Sequence, residues 1–371
     1  MTSEMVTTER VGDRESAFLL RRARWLEHEV IGWSGTLVRV MERLNPVKGR
    51  RSWVIAGWLA ALIVGYALAG LGQEAEFNLL ALPLVGVLRS SGADIVEGFS
   101  ALHGWGKAAR ALTDCSGVVP TILIVDGPAV SGPALLLGIA DHVVMTEAAY
   151  AFVSGPTMVA DFTGVVIDND ELGGAASHSR YSGAATMVAP DLEQAIELAA
   201  QLLAYFPPHN DEEPPRWPTD DAIDRRTPEA GALIPASSTG SYDVRSVIRA
   251  LADDGDLLEL RPRWAANVVT ALTTIGGMPV GVVANQPLAL AGTLDIPASQ
   301  KAARFVATCD AFNLPIITLV DTPGFYPGKD LEWRGMIRHG AQLVFAYGRA
   351  TVPRICVILR KSYGGAYIVM D

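Results

Sequence analysis

Hydrophobic residues occur along most of the chain in short, nearly continuous runs that alternate with stretches of helical spacing. Residues 80–205 show this alternation clearly, and it returns after residue 236. Continuous Val/Ile/Leu runs of strand length are typical of parallel strands buried on both faces, and the stretches between them predict crossover helices. The pattern therefore predicts an α/β protein built from βαβ units.

The clearest long-range feature is an internal repeat, in which Pro83–Ala134 is matched by Pro315–Tyr367. Each copy predicts a buried strand, a small-residue turn, a helix, a second buried strand preceded by Val-Pro, and a glycine-containing turn into a helix. Gly132 of the first copy corresponds to Gly365 of the second. A duplicated unit of this size predicts two similar folds with two similar sites.

Two regions interrupt the alternation. Residues 1–79 form an atypical N-terminal segment, whose uncharged run 53–71 has the length and flanking charges of a membrane span. A buried strand followed by a packed Ala/Leu-rich helix is the alternative for that run. Residues 206–235 form a linker rich in proline and acidic residues. We therefore expect a first unit over 80–235, which includes the linker, and a second unit over 236–371 that is truncated in its last helix.

Composition narrows the classes of function. The net charge of -10 argues against a nucleic-acid partner. Half of the residues, 50%, are apolar, which predicts either a large core or a core partly shared with a partner. The three cysteines are widely spaced, and no Cys/His cluster has the spacing of a metal site. We expect buried thiols, no bound metal and a cytoplasmic protein, with membrane association through residues 53–71 as the alternative.

The candidate chemistry lies in small-residue turns. The sequence has no GxSxG, HExxH or P-loop motif, and no GxGxxG that opens a helix after a strand. Small residues at the end of a strand let a ligand approach free backbone amides, as an oxyanion hole requires. Tight turns without function are the alternative for any one of them, but matched turns in both copies favour function. These turns are Ser90–Asp94, Ala129–Ala134, Glu171–Ala175, Asp321–Phe325 and Tyr363–Tyr367.

From Leu80 onward the chain also resembles a known family. The segments that carry the resemblance are ELGGAASHSRYSG, RPRWAANVVTALTTIGGMPVGVVANQP, AGTLDIPASQKAARFVATCDAFNLPIITLVDTPGFYPG and GMIRHGAQLVFAYGRATVPRICVILRKSYGGAYIVM. They are similar to the carboxyltransferase (β) subunit of biotin-dependent acyl-CoA carboxylases, of the propionyl-/acetyl-CoA carboxylase type in the crotonase superfamily. The resemblance implies two crotonase-like (ClpP/crotonase) ββα-superhelix units, the second incomplete.

The resemblance also implies an activity. A carboxyl group would pass from carboxybiotin, carried on a separate protein, to the α-carbon of acetyl-CoA or propionyl-CoA. Amides of Ser131 and Gly132 would hold the thioester oxygen as it becomes an enolate, and Gly364, Gly365 and Ala366 would hold the biotin ureido oxygen. The freed ureido nitrogen would take the α-proton, so no side-chain base is required. Other implied substrate-binding residues are Ser91, Gly92, Ala93, Gly173, Gly174, His178, Tyr367 and Ile368.

Several positions distinguish this chain within the resemblance. The family usually has two glycines in the first turn, whereas here Ser131 and Pro133 replace small residues on either side of Gly132. The SSGAD turn also lacks the arginine of the family's SGGAR. Ile368 occupies a position that influences acyl-chain choice, and an apolar residue there suits acetyl-CoA or a broader range. Asp295, Lys301 and Arg304 lie at helical spacing, so we expect them on a solvated or interface face, away from the site.

The implied partners are a biotin carboxylase/biotin carboxyl carrier subunit and either further copies of this chain or a homologous carboxyltransferase subunit. In the family, the site forms between the first unit of one chain and the second unit of another. Two alternatives remain open. One is a truncated, weakly active or inactive homologue that binds acyl-CoA or pairs with a full-length carboxyltransferase subunit. The other is a decarboxylase-type assembly anchored by residues 53–71.

Overall fold

The structure, a computed structural model, describes residues 82–93, 96, 98–222 and 224–371. Within these ranges no helix is both long and apolar enough to cross a bilayer. The segment 1–79 and its apolar run 53–71 lie outside the described residues, so the predictions made for them stay predictions.

The first sheet consists of parallel strands around a central one. Strand β2 (Thr121–Val130) lies between β1 (Leu84–Ser90) on one side and β3 (His142–Thr146) with β4 (Tyr150–Phe152) on the other, and β5 (Met187–Ala189) follows β3. The first five residues of β2 are all buried, as expected for a strand covered on both faces. The helices of this half are α1 (Phe99–Cys115), α2 (Gly132–Ile139), α3 (Pro156–Thr163), α4 (Asn169–Gly173), α5 (Ala175–Ser177) and α6 (Leu192–Leu203).

The second sheet is mixed. Strands β6 (Leu258–Leu260), β7 (Val268–Ile275) and β8 (Met278–Asn285) pair antiparallel, whereas β9 (Ile316–Thr322) and β10 (Arg354–Ser362) continue from β8 in parallel. The antiparallel hairpin is a difference from the predicted βαβ alternation, and the adjacent glycines of its TIGGMP turn explain it, because positive φ at both positions is favoured in two-residue hairpin loops. The helices are α7 (Pro228–Ala232), α8 (Val244–Leu251), α9 (Ile296–Ala311), α10 (Lys329–Trp333), α11 (Met336–Arg349) and α12 (Gly364–Ile368).

The internal repeat is visible in the pairing of the strands. The Leu84 amide donates to the Pro120 carbonyl at 2.8 Å, and the Ile316 amide donates to the Pro353 carbonyl at 2.9 Å. The register then shifts near the end of both pairs, β1 with β2 and β9 with β10. The prediction of two similar folds is confirmed at the level of individual hydrogen bonds.

The two sheets share one core. The largest cluster of buried apolar residues joins Ile124 of β2 and Phe206 from the first half with Phe312 and Val320 from the second. The Phe206 and Phe312 rings meet edge to face with their centroids 5.6 Å apart, a favourable aromatic geometry. The two copies are therefore packed halves of one body rather than two separate globules.

The charged residues of the α9 region were expected on a solvated or interface face, and this prediction is wrong for Lys301. Lys301 is only 2% exposed, and its ammonium donates to the carbonyls of Arg261 at 2.9 Å, Trp264 at 3.0 Å and Val268 at 2.7 Å. Burial lowers the pKa of Lys301 to about 7. The side chain points inward because the irregular loop before β7 buries carbonyl groups that need donors.

Two other charged residues of the α9 region also make structural contacts. Asp295 caps the helix by accepting the Ala298 amide at 2.9 Å. Arg304 reaches the first half, where it donates to the carbonyls at the end of α2, those of residues 138 to 140, at 3.2, 3.3 and 2.6 Å. Helical spacing could not show that Arg304, which remains exposed, contacts the other half of the chain.

The cysteines are only partly as expected. Cys309 is buried, Cys115 is half-buried, and Cys356 is exposed on β10. The expectation of a buried thiol is wrong for Cys356, because β10 is the edge of the second sheet among the described strands. Within the described ranges no group of His, Cys, Asp and Glu side chains could hold a metal ion.

His142 of β3 predicts a pH-dependent stability. Its ring is buried, neither nitrogen has a hydrogen-bond partner within the described ranges, and burial with the charges of Arg261 and Arg304 lowers its pKa to about 3. The unfolded chain, with an ordinary pKa near 6.5, therefore binds a proton between pH 6.5 and 3 that the folded chain does not. The stabilisation is complete above pH 6.5 and is lost on acidification.

We expect His142→Phe to flatten this dependence. Wild type should lose about 2 kcal/mol more than the variant in free energy of unfolding between pH 7 and pH 5, because one proton uptake contributes about 1.4 kcal/mol per pH unit. Urea unfolding at both pH values measures the difference. Parallel pH curves for the two proteins would show that the buried ring is not the source.

Candidate functional site

The first candidate site is the turn between β2 and α2. Ser131 has φ 66° and ψ -130°, a conformation that glycine adopts readily and serine does not. Its amide donates to the Phe152 carbonyl of β4 at 2.8 Å. Gly132 begins α2, where amides have no partner within the helix, and Pro133 has no N–H. Of the two amides predicted to hold the thioester oxygen, the one at Gly132 is therefore the donor that the turn can offer.

The second candidate site is the equivalent turn between β10 and α12. Gly364 occupies the place of Ser131 and also has positive φ, 61°, and no described residue lies near the place where a Cβ would be. Gly365 follows it, and an ideal Cβ built on Gly365 would lie 3.7 Å from the Phe325 ring. Ala366 is fully buried. Each copy thus turns from strand to helix through one residue in a glycine conformation.

The turns that end β1 and β9 are also equivalent. The Gly92 amide donates to Ser90 Oγ and the Gly324 amide to Thr322 Oγ1, both at 3.3 Å, and both glycines have positive φ. An ideal Cβ on Gly92 would lie 3.8 Å from the Val130 carbonyl, next to the first candidate turn. The structure therefore brings five of the predicted site residues to one edge of the first sheet: Ser91, Gly92, Ala93, Ser131 and Gly132.

His178 makes two hydrogen bonds within the protein. Its Nε2 donates to the Ala151 carbonyl at 2.7 Å, and its Nδ1 accepts the Ser182 hydroxyl at 2.7 Å. A carbonyl only accepts, so this pairing fixes the tautomer of the ring. His178 holds β4 in place, and β4 supplies the Phe152 carbonyl that receives the Ser131 amide.

The glycines of ELGGA lie behind the turn as well. A Cβ on Gly173 would overlap the Ala151 carbonyl of β4, and a Cβ on Gly174 would lie 2.5 Å from the Asp170 carbonyl. Close backbone packing explains both glycines without a ligand. The role predicted for them in substrate binding stays a prediction, and the contacts described here indicate that they position β4.

Tyr367 and Ile368 lie in α12, at the second candidate site. The Ile368 side chain is 71% exposed, so it is free to contact a molecule bound beside the helix. Sequence reasoning did not find Trp105, whose indole nitrogen lies 3.0 Å from the ideal Cβ position of Gly132. The only sequence signal was an aromatic residue between two glycines on the helix that follows the SSGAD turn.

The paired turns, with small residues, positive φ and amides at helix starts, agree with a comparison to protein families. Residues 60–371 match the carboxyl transferase domain. The chain belongs to the carboxyl transferase family. Its fold is the crotonase-like α/β fold, as the sequence predicted.

Two curated relatives illustrate the similarity of this carboxyl transferase chain. It is 43% identical over 290 residues to the propionyl-CoA carboxylase beta chain of Roseobacter denitrificans, which covers 78% of this chain and 57% of that protein. It is also 43% identical over 292 residues to the methylmalonyl-CoA carboxyltransferase 12S subunit of Propionibacterium freudenreichii subsp. shermanii, covering 79% and 56%. The chain thus spans a little more than half the length of these relatives.

A solved structure supports the same assignment. The transcarboxylase 12S crystal structure, a hexamer assembly with hydrolysed methylmalonyl-coenzyme A bound, aligns with a TM-score of 0.78 and 41% identity. The alignment covers 85% of this carboxyl transferase chain and 58% of that one. The hexamer and the bound coenzyme A derivative belong to that protein.

Ser131 also provides a test of backbone strain. We expect Ser131→Gly to raise the free energy of unfolding by about 1 kcal/mol, since relief of a glycine-only conformation outweighs the added freedom of the unfolded chain. The reciprocal variant Gly364→Ser should lower it by a similar amount. Chemical denaturation of both variants measures the effect. An unchanged or lower free energy of unfolding for Ser131→Gly, or no loss for Gly364→Ser, would contradict it.

Proposed function

We propose that this chain transfers a carboxyl group from carboxybiotin, on a separate carrier protein, to the α-carbon of a short acyl-CoA such as acetyl-CoA or propionyl-CoA. The observation that carries the proposal is the equivalence of the two strand-to-helix turns, at Ser131–Gly132 and Gly364–Gly365. A reaction between two carbonyl-bearing partners needs two such amide sites. The family supports the same chemistry, and the propionyl-CoA carboxylase and methylmalonyl-CoA carboxyltransferase relatives act on short acyl-CoA thioesters by name.

The first turn would act on the thioester. The Gly132 amide, at the start of α2, would donate to the acyl oxygen and stabilise the negative charge that develops as the α-proton leaves. The Ser131 amide supports this role indirectly, because its bond to Phe152 fixes the backbone of the turn. The Ser91–Ala93 turn would border the same site.

The second turn fits a biotin ureido group. Among the described residues nothing lies within 4 Å of the Cβ position on Gly364, so a planar ring can approach the backbone there. Gly364, Gly365 and Ala366 would hold the ureido oxygen through the amides at the start of α12. When bound, carboxybiotin supplies the carboxyl group and a basic nitrogen. Ile368, exposed beside this turn, would influence the choice of acyl chain.

A second candidate function is acyl-CoA binding in a complex with a homologous carboxyltransferase subunit, without high activity of the chain alone. The observation that favours it is the exposure of β10. Ile355 is 60% exposed and Ile358 48%, whereas the equivalent residues of β2, Ile122 and Val125, are fully buried. Exposed apolar residues on an edge strand favour pairing with another chain. A biotin carboxylase/carrier subunit is the other proposed partner.

The purified chain can be tested in the reverse direction. Malonyl-CoA or methylmalonyl-CoA is incubated with free biotin, and the formation of acetyl-CoA or propionyl-CoA is measured by chromatography, with calorimetric titration of acetyl-CoA in parallel. Biotin-dependent formation of the decarboxylated thioester supports the first proposal. Binding without turnover, followed by turnover when a homologous subunit is added, supports the second. The absence of both binding and turnover contradicts both.

A further inference from the structure

Trp105 has an unused hydrogen-bond donor at the first candidate site. It lies in α1, and its Nε1 is buried with no partner among the residues that the structure describes. Buried tryptophan N–H groups usually have an acceptor, because leaving one unpaired costs about 1–3 kcal/mol. The indole N–H therefore lacks an acceptor within the described part of the chain, and a ligand oxygen at the adjoining turn would supply one.

The position of the indole allows it to act together with the Gly132 amide. Nε1 lies 3.0 Å from the ideal Cβ position of Gly132, nearer than the flanking ring atoms Cδ1 and Cε2 at 3.2 Å. That Cβ position is about 2.5 Å from the glycine's own nitrogen, so the two donors are at most about 5.5 Å apart. One oxygen with bonds of about 2.9 Å can bridge donors separated by up to about 5.8 Å.

The first turn needs such a donor. The Ser131 amide already donates to the Phe152 carbonyl, and Pro133 has no backbone N–H. Of residues 131 to 133, Gly132 is therefore the one that can offer a backbone N–H to a ligand. A carbonyl oxygen has two lone pairs and accepts two hydrogen bonds. The second copy differs, because the neighbour of Gly365 is the hydrocarbon ring of Phe325.

We propose that Trp105 donates its indole N–H to the acyl oxygen of the bound thioester, beside the Gly132 amide. The bond strengthens as the oxygen takes on enolate charge, so it favours the transition state over bound substrate. The proposal rests on the function proposed above and adds a side chain to a site otherwise made of backbone. Because free coenzyme A has no acyl oxygen, this bond would help the site to bind acyl-CoA more tightly than free coenzyme A.

Trp105→Phe tests the proposal, because it removes the N–H and keeps an aromatic ring on the helix. We expect acetyl-CoA to bind about fivefold more weakly, as for the loss of one neutral hydrogen bond, and coenzyme A without an acyl group to bind equally. The kcat of the malonyl-CoA to biotin transfer should fall about tenfold or more, with a smaller change in KM. Trp333→Phe, at a 77% exposed tryptophan of α10, is the matched control and should match wild type.

A measurement on the wild-type protein removes any dependence on how well the variant folds. With ¹⁵N-labelled indoles, the Trp105 resonance is identified by its absence in Trp105→Phe. It should move downfield on addition of saturating acetyl-CoA and stay in place with coenzyme A. Acetyl-CoA binding with an unmoved indole resonance, or equal acetyl-CoA affinity of variant and wild type, overturns this proposal alone. Failure of the wild type to bind acetyl-CoA overturns the proposed function and this inference with it.

Discussion

Arg360→Met is expected to lower the free energy of unfolding by about 3–5 kcal/mol. The guanidinium donates through Nε to the Asp321 carboxylate at 3.1 Å, and that carboxylate is completely buried between β9 and β10. Tyr242 donates its hydroxyl to the same carboxylate at 2.9 Å, and Lys361 donates its backbone amide at 3.1 Å. Removal of Arg360 leaves a buried negative charge without its main partner. Urea unfolding followed by tryptophan fluorescence measures the loss.

The internal repeat supplies the control for this variant. An ion pair with its charges exchanged lies between β1 and β2, where Arg89 occupies the position equivalent to Asp321 and Asp126 lies one position before the equivalent of Arg360. Arg89 is 59% exposed, so Arg89→Met should change stability by no more than about 1 kcal/mol. The double variant with Asp321→Leu should recover part of the loss from Arg360→Met, since the buried carboxylate is then absent, while Lys361, whose ammonium lies 3.6 Å from that carboxylate, loses its partner. Equal losses from the two arginine variants would contradict the role of burial.

Gly132→Ala is expected to lower kcat/KM of the carboxyl transfer by about 10²–10³-fold. The new Cβ would lie 3.0–3.2 Å from the Trp105 ring, so either the helix start or the indole must shift. Both donors proposed for the acyl oxygen are at this contact, and loss of one oxyanion donor typically costs this much. The malonyl-CoA to biotin transfer measures the effect.

Gly138→Ala is the matched control in the same helix. No atom of the part of the chain that the structure describes lies within 4 Å of its Cβ position, so the variant should keep its activity and gain about 0.5–1 kcal/mol from the better helix propensity of alanine. If Gly132→Ala and Gly138→Ala show the same activity, the turn at Gly132 is not at the reacting centre.

The sequence was sufficient for the features that depend on local pattern. Buried strands leave continuous apolar runs, and the turn residues between them are small, so the copies around Gly132 and Gly365 could be recognised before the fold was known. The family followed from long matching segments. The antiparallel hairpin of β7 and β8 could have been recognised from its adjacent glycines, which favour a two-residue turn.

The features that were missed depend on contacts between distant segments. The Ser131 amide is engaged because β4 pairs with β2, which no local pattern shows. Lys301 is buried, and the exposed Arg304 contacts the first half, because carbonyl groups of other segments lie against α9. Helical spacing gives the side of a helix, but the partner that covers that side is a property of the assembled fold.

The reach of Arg304 across the two halves has an electrostatic consequence. Its charge lies on the carbonyl end of α2, where the helix has partial negative charge, and the opposite end of that helix carries the Gly132 amide. A cation from the second half of the chain thus offsets the negative end of a helix whose positive end faces the proposed enolate. The two halves are therefore not independent modules, because a charge mutation in one alters the field in the other, and substitutions in the two halves should show epistasis.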